Sequence, residues 1–155
     1  MFSYYADGHK GICIEFSFSV FDMPTGISLA RQVFGKGGKF IAIDVAYQEE
    51  FPELNYLRLE GEARVLNVIG VKAKKWKYEE EFRIFRHQMP AGAVPFAPNI
   101  LKRVILGAKT NGDEMALVKG WLKDWPTPVV LSKADADAES FKLNIHDVEM
   151  VGGAH

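Results

Sequence analysis

Ile12, Ile14, Phe16, Phe18 and Val20 alternate with Cys13, Glu15, Ser17 and Ser19. A period of two places all five apolar side chains on one face of an extended strand and the polar ones on the other. This stretch predicts a strand with one buried and one polar face. A second alternation, Ile41, Ile43, Val45 and Tyr47, predicts another. Between them, Gly26 to Phe34 reads as a short helix, stopped by Gly35 and the flexible turn Lys36 to Lys39.

Further along, Leu59, Leu66 and Ile69, with Val65 and Val68, suit a helix from about Glu53 to Val71, weakened by Gly61 and Gly70. Phe82 to Phe85 and Ile100 to Leu106 read as strands, the second ended by Gly107. The segment from Gln88 to Asn99 holds Pro90, Pro95 and Pro98, which cannot donate to a ladder, and is expected to be a loop or an edge segment. Asn111 followed by Glu114 is a capping-box start, and Met115, Val118, Leu122 and Trp125 then repeat at helical spacing until Pro126. Val129 to Leu131 and the alternation Phe141, Leu143, Ile145 predict two late strands, with Asp135 to Glu139 as their polar connection. The expected class is α+β: a mixed, largely antiparallel sheet covered by two or three helices.

The 155 residues suit a single domain, able to bury one core without disulfides or a structural metal. With 19 Lys and Arg against 20 Asp and Glu, the chain has no long-range field to draw a phosphate backbone, and the basic run Lys72 to Lys77 is followed at once by Glu79, Glu80 and Glu81. Nucleic acid is therefore not expected as a partner. Cys13 is the only cysteine, so no internal disulfide can form. No basic and apolar leader and no membrane-length apolar run is present, and a cytoplasmic location is expected.

Two segments concentrate groups that carry chemistry. Along the strand entered at Glu81, Phe82 and Ile84 point one way and Glu81 and Arg83 the other, with Glu79 just before. Glu81, oriented by Arg83, is a candidate general base or a holder of a substrate hydroxyl or ammonium, with Trp76 and Tyr78 as a flat wall. The same residues equally make a solvated Glu/Arg ladder beside core aromatics, and residue types alone leave both open. His9, in the turn Gly8-His9-Lys10-Gly11, is a candidate acid, base or anion contact, or a turn residue whose ring bonds a backbone carbonyl. His87, His146 and His155 have no metal-ligand spacing, and Asp135, Asp137 and Glu139 lack the glycine and further ligands of a calcium loop.

The run Tyr5-Ala6, His9, Gly11 and Ile14-Glu15-Phe16, the later Lys72, Trp76, Glu79, Glu81 and Arg83, and Val104-Ile105-Leu106-Gly107 together resemble the bacterial domain of unknown function family 2971. Its members combine a Tyr-Ala…His-x-Gly strand, a Lys…Trp-x-x-Glu-x-Glu-x-Arg segment and a late Val-Ile-Leu-Gly strand. The resemblance implies that Tyr5, His9, Trp76, Glu79, Glu81 and Arg83 meet in space. It supplies no reaction and no cofactor. Family members usually carry a further segment with an Asn-Asp-Pro motif before the Tyr-Ala strand, so a shortened relative is expected here.

Two functions follow from this reading. One is a small-molecule or nucleotide-binding domain, including a degenerate enzyme, with Glu79, Glu81 and His9 as catalytic candidates and Tyr5, Lys72, Trp76 and Arg83 as ligand contacts. Its specific version is a distant likeness to ADP-ribosyltransferases, in which a Glu-x-Glu pair orients a nicotinamide ribose. The other is a non-catalytic interaction protein of a mobile or defence-associated gene. The apolar face of Ile12 to Val20 near the first residues further predicts a homodimer, with Phe2 and Tyr4 at the contact.

Overall fold

The computed structural model describes residues 8–18, 21–22, 28–29, 39–52, 67–87, 92–140 and 142–153. Among these the chain runs through strands β1 (Ile12–Phe16), β2 (Phe21–Asp22), β3 (Ser28–Leu29), β4 (Lys39–Asp44), β5 (Ala46–Gln48), β6 (Val71–Ala73), β7 (Phe82–His87) and β8 (Leu101–Leu106). Helix α1 (Gly112–Leu122), β9 (Val129–Ala136) and β10 (Leu143–Val151) follow. Two 3-10 turns, Lys74–Glu79 and Pro98–Ile100, precede β7 and β8. The expected α+β class is found, with mostly antiparallel strands. The strands form three sheets rather than the one expected. The chain divides into two compact units, one of Met1–Phe18 with Phe96–His155 and the other of Ser19–Pro95.

The first unit is built on a sheet in the order β1-β8-β9-β10. β8 and β9 are parallel, and α1 lies in the crossover that a parallel pair requires. Asn111 caps α1 through a complete capping box: its side chain accepts from the Glu114 N–H, and Glu114 accepts from the Asn111 N–H, both at 2.9 Å. Val118 and Leu122 of α1 pack with Leu101, Val104 and Leu106 of β8 and Val129 and Leu131 of β9. Leu106, Val129 and Leu131 have no exposed surface, and each contributes about 1.5–3 kcal/mol through burial.

β1 is a strand as predicted, but it is shorter than expected and its apolar face is not core. Ile12, Ile14 and Phe16 are 41%, 46% and 37% exposed. The cause is position: among the described strands β1 is first in the sheet order and pairs with β8 alone, so its face lies at the rim of the layer that α1 covers. On the opposite face, Glu15, Arg103 and Asp147 form a polar row, with Arg103 3.5 Å from Glu15 and 3.6 Å from Asp147. Asp147 also accepts from the buried Ser132 hydroxyl at 2.8 Å.

The second unit contains the antiparallel sheet β2-β3-β4-β7 and the parallel pair β5-β6. The alternation from Ile41 to Tyr47 is broken at Val45, where the N–H donates to the Glu81 carbonyl (3.1 Å) while the Ala46 N–H donates to the Gly70 carbonyl (2.8 Å). One predicted strand thus serves two sheets. The expected helix from Gly26 to Phe34 is corrected at Ser28–Leu29, which pair with both β2 and β4; partners on two sides satisfy the ladder that an isolated segment would have satisfied by coiling. Of the helix expected from Glu53 to Val71, the described part is its end at residues 67–69, and Val71 opens β6 instead. Residues 53–66 lie outside the described residues, as do 88–91 of the proline-containing segment and Phe141.

Candidate functional site

The site is assembled by a kink in front of β7. The 3-10 turn Lys74–Glu79 ends at Glu80, which adopts left-handed φ 44°, ψ 49° and donates its N–H to the Lys77 carbonyl. A non-glycine residue rarely takes that conformation, and here it reverses the chain between two carboxylates. Glu79 and Glu81 consequently both bond the ammonium of Lys72 on β6, Glu81 at 3.0 Å. Side-chain exposure falls from 29% at Glu81 to 19% at Lys72 and 6% at Glu79, so Glu79 is the deepest member.

Arg83, two residues along β7, shares a face with Glu81 and bonds it twice, through Nε to Oε1 at 2.5 Å and Nη2 to Oε2 at 3.2 Å. Its Nη1 donates to the Ile69 carbonyl. The expected Glu81–Arg83 pair is therefore present, but not on a face turned away from the core: Arg83 is in register with the buried Ile43, against which Phe85 packs, whereas Phe82 on the other face is 41% exposed. Trp76 joins the same cluster, with the Lys72 ammonium 5.4 Å from its ring centre and that of Lys75 at 5.7 Å, within cation–π range. The Tyr78 ring lies 5.9 Å from Trp76, tilted by 43°, and is largely exposed.

Charge states follow from these contacts. The guanidinium of Arg83 first, and then the ammonium of Lys72, hold the Glu81 carboxyl down at about 2 against an ordinary 4.5. Hydrogen bonds to Glu79 and then Glu81 push Lys72 above its ordinary value, and the bond to Glu81 does the same for Arg83. Glu81, Lys72 and Arg83 thus hold one another in their charged forms.

Two members of the site were not foreseen. The Tyr47 hydroxyl accepts from the Glu81 N–H at 2.7 Å, fixing the backbone at the kink, and the Ile69 carbonyl anchors Arg83. Tyr47 was visible only as the last residue of an alternation; its role depends on β5 lying in register with β6, where Tyr47 pairs with Lys72. A cavity of about 110 Å³ adjoins the cluster, lined by Lys72 together with Gln48, Glu49, Asn67 and Val71.

His9 does not join these residues on a neighbouring strand, as had been expected. Its turn leads into β1, which pairs with β8 in the first unit, whereas β7 pairs with β4 in the second. Tyr5 lies outside the described residues, as do Phe2 and Tyr4. Among the described residues, no group of three or more His, Cys, Asp or Glu stands where it could hold a metal ion, and no helix is long and apolar enough to cross a membrane.

A lysine, an arginine and two carboxylates, closed around one kink beside a tryptophan, define a polar cluster. The model of the family described as "Protein of unknown function (DUF2971)" matches residues 1–84, more than half of the chain, and the chain belongs to that family. The match takes in His9 and the segment Lys72 to Arg83 but ends before Val104 to Gly107, whose likeness lies beyond it. No curated protein and no solved structure matches the chain.

Proposed function

We propose that this chain is a small-molecule-binding protein whose Lys72–Glu79–Glu81–Arg83 cluster holds a polar, uncharged portion of its ligand. The observation that carries this reading is that Lys72 belongs both to the ion cluster and to the adjoining cavity. The two cations and two carboxylates balance, so the cluster offers directed hydrogen bonds without selecting a net charge. A cavity of about 110 Å³ takes a hydroxyl-bearing or amide-bearing group, such as one edge of a ribose or a nicotinamide, and leaves the remainder of a nucleotide outside.

Proton transfer is the weaker use of this geometry. A carboxyl held at about 2 is a poor base at neutral pH, because efficient general bases are tuned close to the working pH. Glu81 is better suited to orient a hydroxyl. Its Oε2 accepts from Lys72 and Arg83, while Oε1 accepts only from Arg83 Nε among the described contacts, leaving room for a ligand donor. That is the role an ADP-ribosyltransferase-like Glu-x-Glu would require. Thermal unfolding with NAD, nicotinamide and ADP-ribose tests the reading, since a ligand at a hundredfold its Kd adds about 2.7 kcal/mol. Glu81→Gln should unfold as cooperatively as the wild type and lose that stabilisation. No shift with any of the three compounds rejects this ligand class.

A second reading, a self-associating interaction protein, is favoured by the exposed Ile12, Ile14 and Phe16 on an edge strand. Edge strands with apolar faces pair with what is available, and a two-fold homodimer is the commonest closed form. Light scattering at micromolar concentration should give twice the chain mass, and Ile14→Lys should return the monomer.

A further inference from the structure

The cavity beside the Lys72 cluster is lined by residues 48–52, the end of β5 and the segment after it, and by residues 67–68 and β6. Phe51 is the one aromatic residue among its described lining, and it is 95% exposed. An exposed phenylalanine alone signals nothing, because single apolar residues are common on surfaces. This one continues an apolar wall: Pro52, Val71 and Val68, itself 52% exposed, line the same space. At about 110 Å³ the cavity is smaller than the roughly 150 Å³ that encloses a benzene ring, so a ring entering it stays partly at the mouth, against Phe51.

The polar groups of this lining are not equally available. Glu49 is engaged by Lys74 at 2.8 Å, and Lys72 gives two of its three N–H donors to Glu79 and Glu81. One donor of Lys72 remains. The side chains of Gln48 and Glu50 have no hydrogen bond or ion pair among the described residues.

The charges can be set against one another. Glu49 cancels with Lys74, and the two cations of the cluster balance its two carboxylates, which leaves Glu50 as the uncompensated charge of the lining. The ammonium of Lys75, over the Trp76 ring, is not part of that lining. An anion brought to the mouth therefore meets a carboxylate without a counter-ion, and like charges placed together oppose binding. A neutral or positively charged ring meets instead the face of Phe51, whose quadrupole attracts cations, and the Gln48 amide, which both donates and accepts.

We propose that this cavity selects against phosphate: its ligand is an unphosphorylated, nucleoside-like molecule whose neutral or cationic planar ring lies on Phe51 and whose amide or hydroxyl group bonds Gln48 and the remaining donor of Lys72. The inference rests on the small-molecule reading above and gives it a ligand class. The test is isothermal titration calorimetry of the full chain with nicotinamide riboside and nicotinamide mononucleotide, which share a cationic ring and differ by one phosphate. At low ionic strength the riboside should bind about fivefold or more tightly than the mononucleotide, and the gap should close in Glu50→Gln and as salt is raised. Phe51→Ala should weaken the riboside by about tenfold. Both positions are exposed, so neither variant should move the thermal midpoint. Equal or tighter binding of the mononucleotide, a gap that persists in Glu50→Gln, or a Phe51→Ala variant without effect overturns the proposal, and the small-molecule reading survives it if Glu81→Gln abolishes riboside binding. If neither compound binds, the proposal falls, and the small-molecule reading falls with it unless nicotinamide or ADP-ribose still stabilises the chain.

Discussion

The helix-covered face of the sheet in the first unit and the segment Lys72 to Arg83 in the second are both ordered by close contacts, but of opposite kinds. In the first, Leu106, Val129 and Leu131 are fully enclosed and α1 lies on them, so position follows from non-directional burial. In the second, each motif residue is placed by a directed bond: Lys72 between two carboxylates, Arg83 between Glu81 and the Ile69 carbonyl, and Glu81 by the Tyr47 hydroxyl. Burial tolerates a change of partner, whereas an ion cluster with four members fails in geometry when one is changed. Stability should therefore reside in the first region and specificity in the second.

The sharpest way to break this contrast is to compare large-to-small substitution in one region with charge removal in the other. Leu131→Ala should cost about 2–5 kcal/mol, read as a lowered denaturant midpoint, because a fully buried side chain leaves a cavity. Asn111→Ala should cost about 1 kcal/mol by removing the capping box of α1 while leaving the sheet intact, measured by the same midpoint. Glu81→Gln should cost on the order of 1 kcal/mol, since its pairs are partly exposed, and should abolish ligand stabilisation. A cost matching that of Leu131→Ala would make the cluster a folding element and erase the distinction.

Acid sharpens the same comparison. The folded pKa of Glu81 is depressed from 4.5 to about 2, so its contribution to stability is fully present above 4.5 and is lost as pH falls through that window. The midpoint difference between wild type and Glu81→Gln should shrink below pH 4.5 and vanish near about 2, while that of Leu131→Ala persists. The smallest effect is expected at the exposed pair Lys74–Glu49, 2.8 Å apart: Glu49→Gln should change stability by less than about 0.5 kcal/mol. A larger change would show that the cluster extends to the rim of its cavity.

Local pattern made much of this legible. The cap at Asn111, the strands β7, β8 and β9, and the common face of Glu81 and Arg83 were readable because each depends on residues within one turn or two strand positions of one another. The spacing from Lys72 to Arg83 likewise announced a cluster through its family motif. Tyr47 and the Ile69 carbonyl were not readable, since they enter from outside that motif and a backbone carbonyl has no residue identity to read.

The amino-acid sequence by itself determined which segments extend, where α1 begins and which polar residues of β7 stand side by side, because backbone preference and side-chain period act over a few residues. Only the tertiary structure decided which strands pair. It turned Ser28–Leu29 into a middle strand rather than part of a helix, split the Ile41 to Tyr47 alternation between two sheets, left the apolar face of β1 at a rim and put the strand after His9 in a different sheet from β7. The physical reason is that pairing and burial depend on which distant surfaces meet, and the period of a strand records the shape of its own two faces without recording what will cover them.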